Sequence, residues 1–136
     1  MLAIYIALKL AGYITWSTIG AVSFRRQGSP MLTGIALGTV RLVIGWATGL
    51  VVALVALSIA SGSIPLFYFA VLAVVRWFEW GAIELMLAED SATPSAFVGG
   101  FTRGGRLWRV GGVAVSYLAD APFLLVGGFP GGRIFC

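Results

Sequence analysis

Nine basic and five acidic residues are all the charge this sequence has, and four of them fall deep inside apolar runs: Lys9, Arg76, Glu79 and Asp120. Charge at that depth in a membrane costs from about 2.5–3.5 kcal/mol upward, so it must face protein or water. Two of the four are positive and two negative, so they balance. Arg76 and Glu79 stand three apart and can pair locally on one helix. Lys9 and Asp120 are left to satisfy each other, or Asp120 bridges to Arg76. Arg41 and Glu84 reach matching depth as a second pair at the inner boundary, where snorkelling to headgroups is the ordinary use of such side chains. Three kinds of chemistry fit the central four. They can fix helix register as an ion-pair network, dock a partner's charges, or move protons and ions past carboxylates set beside bases. Charge balance favours the first, and the rarity of unpaired intramembrane charge ranks register-fixing or docking above transport.

Much other chemistry is excluded. The chain has no His, no Asn, one Gln and one Cys. Imidazole ligation of a metal or haem and imidazole general-base catalysis are therefore out of reach. A single cysteine, Cys136, cannot form an internal disulfide or a CxxC pair. Intramembrane aspartyl catalysis needs two facing carboxylates, and the only aspartates are Asp90, in a polar stretch, and Asp120. No metal site, no cofactor and no enzymatic activity are expected. A lipid-modifying enzyme using Glu79 or Asp120 ranks last.

The elements that must position these charges follow from composition. The chain of 136 residues is 60% hydrophobic and only 10% charged, against about 25% charge in a soluble domain. That is too little polar surface to coat a water-soluble globule. The reading is one all-α domain over 1–136, an integral membrane protein of four transmembrane helices in an up-down bundle. A span needs about 20 mostly apolar residues. The first covers 2–22; it lacks the leading positive charge and small-residue cleavage site of a signal peptide. Ser29-Pro30 is a helix-start signal, and the pattern it opens runs to Ala60, with the span taken over 34–60. Ser61-Gly62-Ser63 makes a tight turn before a third span over 64–88. Residues 89–106 read as a long polar loop. The fourth span, 107–129, is interrupted by Gly111-Gly112, Asp120 and Pro122, with a re-entrant segment as its competitor.

Charge sidedness sets orientation. With four spans one side receives Arg25, Arg26, Arg103, Arg106 and Arg109, and the other only Arg133. The arginine-bearing loops are placed in the cytoplasm, both termini on the non-cytoplasmic side of a plasma- or inner-type membrane, and those five arginines on anionic headgroups. No basic stretch interleaved with aromatics points to nucleic acid.

On the second helix Gly34, Gly38, Gly45 and Gly49 fall within an arc of about 60°. Such stripes let backbones approach where lipid supplies no hydrophobic drive, so this face is read as a packing seam. On the first helix Tyr5, Lys9, Gly12, Tyr13, Trp16 and Gly20 share one side, with Tyr13 and Trp16 too deep for interfacial anchors and expected to pack inward around Lys9. The chain has almost no extramembrane surface for catalysis. The function expected is therefore an accessory or assembly subunit of a larger membrane complex, hetero- or homo-oligomeric, acting by helix packing and contacts with bound lipids. The alternative is a small oligomeric channel or transporter using Lys9, Arg76, Glu79 and Asp120.

Overall fold

A computed structural model describes residues 2–59, 65–88, 94–100 and 103–127. They form five helices and, among the described residues, no strand: α1 (Leu2–Ser23), α2 (Pro30–Ile59), α3 (Pro65–Leu87), α4 (Pro94–Gly99) and α5 (Arg103–Gly127). The turn at 61–63, Asp90, Arg133 and Cys136 lie outside the described residues.

Helix ends follow the local chemistry. Ser29 caps α2: its carbonyl accepts from Thr33 N at 3.1 Å and its hydroxyl from Leu32 N at 3.5 Å, with Pro30 at the first helical position. α1 closes in a Schellman motif. Arg26 N donates to Ala21 O at 3.0 Å and Arg25 N to Val22 O at 3.1 Å, with Arg25 held at φ 52°.

The long helices alternate in direction. On α1, Lys9 meets Asp120 of α5 while Trp16 meets Trp108, so the two run antiparallel. Side chains at Gly34 and Gly38 of α2 would strike Thr18 and Ile14 of α1, which fixes a second antiparallel pair. α3 meets α5 through Arg76–Asp120 and Glu84–Arg109.

Two expectations about the C-terminal third need correction. The stretch 89–106 is not one open loop: it contains α4 and the first turn of α5. Gly111-Gly112 does not break the fourth long helix either. α5 runs unbroken through it, because the missing side chains make room for rings: a Cβ at Gly111 would enter the Trp16 indole and one at Gly112 would come within 2.5 Å of Trp80.

Burial is inverted relative to a water-soluble bundle. Charged side chains are described at ten positions, and seven of these are buried: Lys9, Arg41, Arg76, Glu79, Glu84, Arg109 and Asp120. Nineteen large apolar side chains, including Ile4, Val43, Leu107 and Leu118, are meanwhile exposed. Between the charges lies an aromatic core of Tyr13, Trp80 and Trp108, with edge-to-face rings at 5.7 and 5.2 Å. Among the described residues one helix segment, Pro30–Val52, is long and apolar enough to cross a membrane, and most of it is exposed.

Candidate functional site

The buried charges occupy three levels along the bundle. At the level farthest from Arg25 and Arg26, Asp120 of α5 is the hub. It accepts from Lys9 Nζ at 2.9 Å, from Tyr5 Oη at 2.7 Å and from Arg76 Nη2. Lys9 also lies over the Tyr5 ring at 4.8 Å, and Arg76 over the Tyr117 ring at 4.2 Å. One carboxylate thus serves two cations, and the aromatic faces carry part of the excess.

At the central level, Arg41 of α2 donates through Nη2 to Glu79 Oε2 of α3 at 2.5 Å, and Thr48 donates to the other oxygen of the same carboxylate. The Arg41 guanidinium sits 4.9 Å from the Tyr13 ring centre and 5.2 Å from that of Trp80. It is 1% exposed.

At the level nearest the Arg25–Arg26 turn, Arg109 Nε donates to Glu84, and its Nη1 donates to Phe97 O of α4 at 2.6 Å. Trp77 Nε1 donates to Val98 O at 2.8 Å, and the Phe78 and Phe97 rings meet at 5.7 Å. These contacts clamp α4 across α3 and α5. Gly81 leaves the space: a Cβ there would stand 2.8 Å from Arg109 Nη1.

Several sequence-predicted pairings change partner. Arg76 and Glu79 do not pair with each other; the turn between them aims Arg76 at α5 and Glu79 at α2. Arg41 takes Glu79 rather than Glu84, and Glu84 takes Arg109. Neither Arg41 nor Glu84 snorkels, since both are buried among rings and partners. Arg109 is not a headgroup contact, being fully buried in its pair. Arg25 and Arg106 are exposed and Arg26 half-buried, while Arg103 is the first residue of α5.

The glycine stripe has two uses rather than one. Gly34 and Gly38 admit the α1 backbone, whereas Gly45 and Gly49 border a cavity between α1, α2 and α3. Lys9, Tyr13, Arg41, Thr48, Arg76 and Glu79 also line that cavity, whose volume is about 10 Å³. Such a space is just large enough for one water-sized occupant. Among the described residues, Arg41 Nε and Nη1 and Arg76 Nη1 are buried without a hydrogen-bond partner. Gly45 lies against this array: its Cβ would be 2.9 Å from Arg41 Nη1. The sequence reading missed the cavity, because it treated the glycines as one seam and Arg41 as a boundary residue.

Among the described residues no group of His, Cys, Asp and Glu is placed to hold a metal. No protein-family model, no curated protein sequence and no solved structure matches this chain.

Proposed function

We propose that this chain is an integral membrane protein, crossing the membrane four times as an up-down bundle, and that it serves as a packing subunit of a larger membrane assembly. The inversion of burial carries the reading. Among the described residues, seven charged side chains inside and nineteen large apolar ones outside suit a solvent of hydrocarbon, where apolar surface is free and charge must face inward. Every described buried cation meets a carboxylate within the chain, so an unpaired charged side chain is not what it offers a partner. What it offers is an apolar face.

Trp46 marks that face. It is 47% exposed and lies within about 3 Å of the midpoint of α2 at 1.5 Å per residue. Tryptophan in contact with lipid belongs at the interface, where its indole N–H finds water or headgroups. At mid-span it suits a neighbouring protein surface. With Arg25, Arg26, Arg103 and Arg106 all at one end, the positive-inside bias puts that end in the cytoplasm and both termini outside.

Native purification in mild detergent tests the reading, with mass spectrometry of co-eluting chains and labelling of Cys136 by an impermeant thiol reagent on intact cells. The wild type is expected to elute with other subunits or its own copies, and Trp46→Ala to elute as a folded monomer. A wild type that elutes alone overturns the subunit role. Resistance of Cys136 until lysis reverses the orientation.

The second reading, an ion or proton path past Lys9, Arg76, Glu79 and Asp120, draws support from the polar cavity. Flux in liposomes holding the purified chain, lost in Glu79→Gln, would favour it over the subunit role.

A further inference from the structure

We propose that the cavity between α1, α2 and α3 is a binding site for one small monovalent anion, a halide such as chloride. This rests on the buried donors and the charge balance around them, and it stands whether or not the chain is a packing subunit.

The described interior holds four cations, Lys9, Arg41, Arg76 and Arg109, and three carboxylates, Glu79, Glu84 and Asp120. One positive charge is left over. Among the described residues it does not sit at the Glu84–Arg109 level, where one buried carboxylate meets one buried guanidinium. It sits around the cavity, where three cations line the wall and share Glu79 and Asp120. The hydrogen bonds point the same way. Arg41 Nε and Nη1 and Arg76 Nη1 are donors without acceptors among the described residues, on side chains 1% and 4% exposed. A buried ionised donor left unmade carries a large desolvation cost. A water molecule would satisfy some of these N–H groups but leave the charge in place. A monovalent anion supplies acceptor capacity and neutralises the interior together. The volume, about 10 Å³, has room for a single small occupant. Glu79 on the wall sets the limit at one negative charge, since a divalent anion would meet its repulsion.

The test is thermal unfolding of the purified chain in detergent, in chloride and in gluconate at equal ionic strength, so that screening is constant. Chloride at about ten times its dissociation constant is expected to raise the wild-type Tm by about 4 °C over gluconate. Arg76→Gln removes the surplus charge and leaves Asp120 with Lys9 and Tyr5; its Tm is expected to be the same in both salts. Equal wild-type values in the two salts overturn the site and leave a water there. A chloride shift that Arg76→Gln retains overturns it too, as a general salt effect. If Arg76→Gln does not fold, the wild-type ³⁵Cl linewidth decides. Saturable broadening at one ion per chain supports the site, and a linewidth equal to that of the detergent blank overturns it.

Discussion

Arg109 and Arg41 are both buried guanidiniums paired with a glutamate, yet their surroundings differ in kind. Arg109 has one carboxylate of its own, a backbone carbonyl on α4 and the Trp77 ring at 5.4 Å. Arg41 shares its glutamate with Thr48, faces two rings and keeps two nitrogens unpartnered beside a glycine-lined space. The first is a closed joint that ties a short helix to two long ones. The second is an open array with more cation than anion around it. Burial and pairing alone therefore do not separate a structural ion pair from a binding site; the count of unmet donors and the local charge balance do.

Breaking each pair in turn gives the largest expected effects. Glu84→Gln leaves Arg109 buried without its carboxylate, and losing one partner of such a pair costs about 3–5 kcal/mol. Thermal unfolding in detergent should show this loss equally in chloride and gluconate, since neither Glu84 nor Arg109 lines the cavity between α1, α2 and α3. Glu79→Gln should cost about 3 kcal/mol in gluconate and less in chloride, because an anion beside Arg41 takes over part of the lost neutralisation. Equal sensitivity of the two variants to chloride would erase the distinction between the two levels.

Much of this was legible in the sequence, and the failures have physical causes. Lys9 and Asp120 came together by elimination, and Asp120 takes both that partner and the alternative, Arg76; helix periodicity put Tyr5, Tyr13 and Trp16 on the same side as Lys9. Depth could not assign Arg41. Glu79 and Glu84 differ by five residues, about 7.5 Å along the axis, and an arginine side chain reaches across much of that. Counting arginines by segment put Arg109 at the headgroups, although Glu84 and Trp77 of α3 and Phe97 of α4 enclose it. α4 begins at Pro94, and the sequence Thr93-Pro94 is the kind of signal read correctly at Ser29-Pro30, but the glycines that follow suggested a loop. The Gly111-Gly112 pair reads as a break because spacing along one helix says nothing about rings arriving from two others.

The glycine stripe offers a finer contrast, between a half filled by backbone and a half left open. At Gly38 an added Cβ would lie 2.7 Å from Ile14 N and 2.8 Å from its Cα. Backbone cannot yield as a side chain does, so Gly38→Ala should cost about 1–3 kcal/mol through overpacking. At Gly45 the nearest atom is Arg41 Nη1, at 2.9 Å, a side-chain nitrogen that yields more readily than backbone. Gly45→Ala should cost under about 1 kcal/mol and reduce the chloride shift, because it moves the donor that faces the cavity. The same unfolding series measures both. Equal losses would return the stripe to a single seam.

Small effects also lie outside both sites, in the turn between α1 and α2, where two residues take positive-φ backbone with opposite fitness for it. Arg25 sits at φ 52° in the Schellman motif and Gly28 at φ 100° just before the Ser29 cap. A non-glycine residue there carries a steric cost that glycine does not, although glycine gives some of the gain back through a looser unfolded chain. Arg25→Gly should therefore raise stability by about 0.5–1 kcal/mol. Gly28→Ala should lower it by about 1 kcal/mol, and by strain alone, since no atom lies within 4 Å of its added Cβ. Opposite shifts of Tm in the two variants would assign both effects to backbone conformation. A fall in both would mean that the exposed Arg25 side chain stabilises the turn by more than its φ costs. Its charge would then serve the fold as well as the orientation.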